Sequence, residues 1–398
     1  MKRFRTTPLG EVADVFNGKT PARTEQRDAG HPVLKIKDVD ESGNFRGKFE
    51  SFVDTVFAQT HSKRKLNVAD VLILNAAHNA NYVASKVFFV DEQVSGAVAT
   101  GEWTIIRANS SFLLPGFVYH WIRSQIGRTS IKNLVRGIHL YPTDVASVRL
   151  TVPPLEEQER IVKVLDEADE LLKLRAQADR RTAALAPALF HEMFGDPRCN
   201  ANKWRVEALG ETLKVLHRYP TFYGTSYVED GVPVARIGNI LPSNMLDTDL
   251  LSYVRVPRDF SAKFPKTVLK SGDLVMAVRG DTTGKIGFVP SNLEGANISP
   301  NLIRISPDTS KVTSEYLLWL LLLVPTLVTS KVTDTAKKSI TAENIGAIKI
   351  PVPSLQLQKE FAIRVSEICG LEAKQATSRR LMDALFQSLL YQAFQGDL

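Results

Sequence analysis

Two stretches of this chain concentrate side chains able to make paired hydrogen bonds to a flat, polar partner. The first is Leu74-Asn75-Ala76-Ala77-His78-Asn79-Ala80-Asn81-Tyr82, which offers carboxamides, an imidazole and a phenol. The second is Arg279-Gly280-Asp281-Thr282-Thr283-Gly284-Lys285-Ile286-Gly287, which offers a guanidinium, two hydroxyls and an ammonium. Carboxamides and guanidinium groups can bond two edge atoms of one nucleobase at once. Lysines and arginines around them suit backbone phosphates, which fix register without reading sequence. Arg136, His139 and Tyr141 in one half of the chain, and Lys337, Lys338 and Ser339 in the other, offer similar groups just before an extended segment. Lys35, Lys37, Arg236 and Asn239 complete the candidate set. The chemistry on offer is recognition.

The residues of catalysis do not assemble in the same way. Gly280, Gly284 and Gly287 lack the Gly-Lys-Ser/Thr ending of a phosphate loop and open no clear helix, which argues against nucleotide binding. Pro153-Pro154-Leu155 is not the Asn/Asp-Pro-Pro-aromatic motif an adenine methyltransferase needs. Asp166, Glu167, Asp169 and Glu170 fall on a helical pattern and read as its solvated face, not as a metal site. The seven histidines are scattered, with no His-Glu-x-x-His. Cys199 and Cys369 form no Cys-x-x-Cys pair, so a zinc ribbon is excluded, a disulfide framework is not expected, and a reducing cytoplasm fits. The net charge of +7 favours a polyanionic partner, though mildly. With 44% hydrophobic and 23% charged residues, the chain can build real cores. The greasiest stretch, Tyr316 to Val328, is interrupted by Pro325 and too short to span a bilayer. The start, Met1-Lys2-Arg3-Phe4-Arg5, leads into no apolar signal core.

The elements that must hold the candidate segments are written twice, about 200 residues apart. Leu9-Gly10-Glu11 recurs as Leu209-Gly210-Glu211, and Val152-Pro153-Pro154-Leu155 as Val352-Pro353-Ser354-Leu355. Gln158 recurs as Gln358, Arg180-Arg181 near Arg379-Arg380, and Leu185, Leu189 and Phe194 as Leu385, Leu389 and Phe394. Such a period means a duplicated architecture. Each half opens with a mixed part. Val33 to Lys37 alternates as a strand, Val71–Leu74 and Leu274–Val278 read as buried strands after an Asp turn, and Phe117–Ile126 and Glu315–Leu323 read as helices. Each half closes with a long helical pattern, from about Glu156 to Phe194 and from about Gln356 to Phe394. The apolar stripes are Ile161, Leu165, Ala168, Leu172 and Leu189, and Phe361, Val365, Ile368, Leu371, Met382, Leu385 and Leu389. Pro187 should kink the first helix, whereas Gln387 leaves the second straight. A helix on the order of 55–60 Å long outreaches a small domain. Two equivalent helices can instead cover each other as an antiparallel pair; the alternative is that each helix packs on its own domain.

This layout resembles the specificity (S) subunit of type I restriction-modification systems, over the whole chain. The segments Val148-Arg149-Leu150-Thr151-Val152-Pro153-Pro154-Leu155-Glu156-Glu157-Gln158 and Ile348-Lys349-Ile350-Pro351-Val352-Pro353-Ser354-Leu355-Gln356-Leu357-Gln358 are similar to the family's strand ending in Pro-x-Leu-x-x-Gln. The openings Pro8-Leu9-Gly10-Glu11 and Ala208-Leu209-Gly210-Glu211, the Arg279–Gly287 loop, and Asn297-Ile298-Ser299-Pro300-Asn301 also resemble it; the first half departs at the loop, having no glycine there.

The resemblance implies an α+β fold. Two mixed α/β target-recognition domains form a pseudo-twofold tandem repeat, separated by two long antiparallel coiled-coil helices. The segments are residues 1–154, 155–198, 199–354 and 355–398. It implies a cytoplasmic, non-catalytic host-defence protein that reads a bipartite asymmetric site in double-stranded DNA, with the helices setting the gap. Its partners would be two methyltransferase subunits and motor-nuclease subunits, with no membrane. S-adenosylmethionine, ATP and magnesium would serve those partners, and adenine would be the base methylated. The alternatives are a coiled-coil interaction scaffold and a self-contained DNA methyltransferase or endonuclease.

Overall fold

The computed structural model describes residues 5–219, 226–332 and 338–396. By contact, the chain divides into two units. One holds the residues up to Ala176 together with those from Thr377 on, and the other holds Gln177–Ala376. The division cuts across the four sequence segments, because each unit holds the beginning of one long helix and the end of the other.

Each unit is built on a four-stranded antiparallel sheet. In the first, the strands lie in the order Ala13–Asn17, Trp103–Ala108, Val71–Leu74, Val87–Phe89. In the second, the order is Leu213–Arg218, Leu302–Pro307, Leu274–Ala277, Ile286–Phe288. The central strands Val71–Leu74 and Leu274–Ala277 are buried along their whole length, as short unbroken apolar runs demand. Val71 pairs with Ile106 and Leu274 with Ile305, so the two sheets share one register.

The Asp turns hold each central strand at its start. Asp70 accepts the Asn67 N–H at 2.8 Å and Asp273 accepts the Lys270 N–H at 2.8 Å. Asp70 also ion-pairs with Arg107 at 2.7 Å, and Asp273 with Arg304 at 2.6 Å. The two arginines occupy different positions on equivalent strands, since Arg304 stands opposite Val275 and Arg107 one residue beyond the Val71–Ile106 pair. The ion pair is retained although the sequence positions are not.

A ribbon closes each domain, pairing Arg5–Pro8 with Arg149–Val152 and Arg205–Ala208 with Lys349–Val352. It explains the repeated Leu-Gly-Glu. The Leu9 N–H donates to the Val148 carbonyl at 2.8 Å and the Leu209 N–H to that of Ile348 at 2.7 Å. A Cβ on Gly10 would lie 3.1 Å from that of Ala146, so the close approach leaves little room there for a side chain.

The repeated glutamine has an equally plain role. Gln158 and Gln358 are fully buried. Gln158 Oε1 accepts the Leu114 N–H at 2.8 Å, and its Nε2 donates to the carbonyls of Phe112 at 2.9 Å and Pro153 at 2.8 Å. Gln358 does the same with Thr313 (2.9 Å), Lys311 (3.2 Å) and Pro353 (2.9 Å). Each carboxamide ties the first turn of a long helix to the loop before a domain helix. Glu156 and Glu157 add charge suited to the first helix's N-terminus.

The long helices are Leu155–Ala183 continued by Leu185–Phe194, and Leu355–Gln395 without a break. The interruption falls at Ala184, just before Pro187, which lacks the N–H that the Ala183 carbonyl would need. In the first unit, Glu156 and Ile161 line one groove with Ala393 and Phe394. Arg123 pairs there with Asp169 at 2.7 Å and lies over the Phe386 ring at 5.3 Å. In the second unit, Gln375 donates to the Thr182 hydroxyl at 3.0 Å, and the Phe190 ring meets Phe361 at 5.5 Å. Within each unit the two helical segments therefore run in opposite directions.

Four expectations need correction. The strand expected over Val33–Lys37 ends at Leu34, because the Asp38 carboxylate takes the Lys35 N–H at 2.7 Å and closes a 3-10 turn. The helix expected over Phe117–Ile126 stops at Arg123, where Ser124 caps a second helix, Gln125–Lys132. Asp166 and Asp169 are not a purely solvated face. Asp169 is buried and pairs with half-buried Arg123, and Asp166 bonds the buried His120 imidazole at 2.7 Å. The stripes are also misassigned in part. Leu371 and Leu385 are exposed, while Phe386, Leu390 and Ala393 are buried in a core with Phe117, Trp121, Ile161 and Leu165. The helices thus bury apolar surface against the sheet-bearing domain as well as against each other. Among the described residues no helix is long and apolar enough to cross a membrane.

Candidate nucleic-acid interface

In each unit one short segment gathers the candidate groups. In the second unit it is Ser299-Pro300-Asn301. The Ser299 N–H donates to the Ala235 carbonyl at 2.8 Å, next to Arg236. The Pro300 carbonyl accepts Arg218 Nε at 3.3 Å. The Asn301 carbonyl accepts the Val278 N–H at 2.9 Å, next to Arg279. In the first unit Thr100-Gly101-Glu102 does the same work. Thr100 bonds Leu34, next to Lys35, and both Gly101 and Glu102 accept from Asn75.

The structure also joins each candidate loop to the segment that precedes the closing ribbon. Ala76 bridges His139, and the Leu140 N–H donates to the Asn75 carbonyl at 2.8 Å. Arg279 bridges Ser339, the Gly280 N–H donates to the Lys338 carbonyl at 2.9 Å, and the Ile340 N–H donates to Val278. Loops far apart in sequence therefore form one surface per unit, at equivalent places, although only the second loop carries glycines. His78, Asn79, Asn81, Tyr82, Arg136, His139 and Tyr141 are exposed in the first unit. Asn79 Oδ1 caps its own turn on the Asn81 N–H, and Arg136 reaches Asp144 at 3.1 Å. In the second unit Arg236, Arg279, Thr282 and Lys338 are exposed, with Thr283 and Ser339 half-buried. Lys337 lies outside the described residues.

Four candidates do other work. Asn75 is buried, its Nδ2 donating to Asn17 Oδ1 (3.0 Å), the Gly101 carbonyl (3.0 Å) and the Thr104 hydroxyl (3.1 Å). Asn239 is buried and accepts the Arg236 N–H at 2.9 Å, the job Asp38 does for Lys35. Lys285 donates to the Ile240 carbonyl at 2.5 Å, just as buried Lys86 donates to Val39 at 3.0 Å, so the repeat marks it as a structural lysine. Lys37 pairs with Glu50, whose hydrogen bond holds the ammonium above its usual pKa.

Arg218, absent from the sequence-derived set, lies beside these candidate groups, bonded to Pro300. Burial and the neighbouring Arg279 charge both hold its guanidinium below the ordinary value. It ends a strand and matches no motif, so only superposing the halves singles it out. Lys35 and Arg236, by contrast, stand at the same place in both units, directly after the strands His31–Leu34 and Val232–Ala235. Among the described residues no cluster of His, Cys, Asp and Glu could hold a metal.

The sequence profile of the type I restriction modification DNA specificity domain matches residues 1–180 and again 202–376. The specificity subunit of the type I restriction enzyme MjaVIII of Methanocaldococcus jannaschii is 23% identical, over 91% of this chain and 85% of its own length. That of the type I restriction enzyme EcoBI of Escherichia coli is 22% identical, over 98% of this chain and 85% of its own length. The S subunit of the type I restriction-modification system of M. genitalium shares the fold, with a TM-score of 0.58 at 15% identity over 99% of this chain and 97% of that one. With both halves matched across their recognition domains, the chain belongs to the type I restriction modification DNA specificity family.

Proposed function

We propose that each unit reads one half of a bipartite, asymmetric DNA target, and that the chain supplies the address while partner subunits supply the chemistry. The observation that carries this reading is the doubling of one surface. The same sheet holds a hub segment, a loop and a pre-ribbon segment at equivalent places in both units, with different side chains on each. Two similar scaffolds with different polar groups suit two different short sequences. The exposed loop residues would meet base edges in the major groove. Lys35 and Arg236 would hold phosphates, a contact indifferent to sequence.

The long helices, paired as an antiparallel coiled coil, would fix the unread gap. Their exposed faces, including Leu171, Leu174, Ile363 and Leu381, would dock two methyltransferase subunits, with motor-nuclease subunits joining for cleavage. S-adenosylmethionine, ATP and magnesium would then belong to the partners, and adenine would receive the methyl group. The assembly would act in the cytoplasm as host defence.

The test is duplex binding by the chain in complex with its methyltransferase subunits. Affinity should fall steeply as salt rises, and Lys35→Ala with Arg236→Ala should flatten the slope by about one counterion each. A flat salt dependence in the unaltered complex would favour a protein-interaction scaffold. Methyl transfer or cleavage by the purified single chain would favour a self-contained enzyme.

A further inference from the structure

At one position the two units diverge in a way that points to a particular base. In the first unit the edge strand ends on Asn17, whose side-chain oxygen accepts from Asn75 Nδ2 at 3.0 Å and from the Thr104 hydroxyl at 2.8 Å. That polar network is closed within the protein. In the second unit the shared register puts Arg218 where Asn17 stands, opposite Ile303 instead of Thr104. Val278 takes the place of Asn75, since each supplies the atom that bonds the pre-ribbon segment.

Two apolar side chains cannot satisfy a guanidinium. Among the described residues the Arg218 side chain bonds only the Pro300 carbonyl, through Nε at 3.3 Å, which orients the group and leaves both Nη nitrogens unbonded. Its neighbour Arg279 and Asp281, two residues on, are both exposed, and neither makes an ion pair among the described residues. Like charges held side by side repel. Arg218 is half-buried, so its Nη nitrogens stay open to an acceptor that comes to it.

We propose that Arg218, together with Arg279, reads a guanine in the half-site of the second unit, donating to its O6 and N7. This rests on the reading that the second unit binds a DNA half-site. Guanine is the base whose major-groove edge offers two acceptors to a guanidinium. A phosphate contact does not depend on sequence and can keep its place in both units, as Lys35 and Arg236 do. A base contact must differ where the targets differ, and Asn17 against Arg218 is such a difference.

The experiment uses the chain assembled with its methyltransferase subunits and its own target DNA, with 7-deazaguanine replacing each guanine in turn. The unaltered complex should lose about tenfold in affinity at a guanine in one half of the target. In complexes carrying Arg218→Ala, or Arg279→Ala on its exposed loop, that loss should vanish while penalties in the other half persist. A loss that persists unchanged in both variants would overturn the assignment. So would variants that weaken target and unrelated DNA evenly, which marks a phosphate contact. A two-part target with no such guanine overturns this assignment alone. A complex with no two-part target overturns the underlying reading and this assignment with it.

Discussion

Gln158 shows how one side chain can carry a motif. Its three hydrogen bonds satisfy a buried N–H and two carbonyls at the joint between recognition domain and long helix. Gln158→Ala leaves those groups without partners, which should lower stability by about 2–4 kcal/mol in denaturant unfolding. A change below about 0.5 kcal/mol would mean that the clamp is redundant. This residue was legible in the sequence because it recurs in an unchanged setting. The candidate site was legible only in part. Asn75 has the right chemistry for a base edge, yet Asn17, Thr104 and Gly101 consume its donors, and nothing in the linear sequence reports that closure. Lys285 likewise spends a donor inside the protein, on the Ile240 carbonyl, as its match Lys86 does on Val39. Arg218 was missed because its meaning lies in what surrounds it, two apolar neighbours that cannot satisfy it.

Strands and helices differ in how plainly the sequence states them. Apolar runs gave the central strands Val71–Leu74 and Leu274–Ala277 almost to the residue, because burial on both faces leaves an unbroken pattern. The strand at Val33 was overextended, since alternation cannot show that Asp38 turns the chain after Leu34. The helical stripe was shifted toward Leu385, because a face buried against two partners is wider than a single seam, and Phe386 and Leu390 fill it. The helices yield a prediction of their own. Deleting one turn, four residues, from the first helix shortens it by about 6 Å. The target gap should shrink by roughly two base pairs at 3.4 Å each, with both half-site sequences unchanged, as read from the methylated sites. Altered half-site bases would contradict the idea that the helices act as a ruler.

At the scale of the whole molecule, duplication is the organising fact. One chain carries two copies of a reading surface whose frame is held by repeated residues: the Leu-Gly-Glu opening, the Asp turns and the buried glutamines. The groups displayed on that frame have diverged. The frame was visible in sequence since repeated physical constraints keep repeated residues, and the displayed groups were not, since nothing constrains them to match. The central claim is that the two units read two separate short sequences. Mapping methylated adenines across the genome of a host that expresses this chain with its methyltransferase subunits tests it most directly. The account predicts one asymmetric motif, two short defined blocks around a fixed undefined gap, and replacing Asn79, Asn81 and Tyr82 with alanine should relax one block alone. A single unbroken motif, or a loop replacement that relaxes both blocks together, would contradict it.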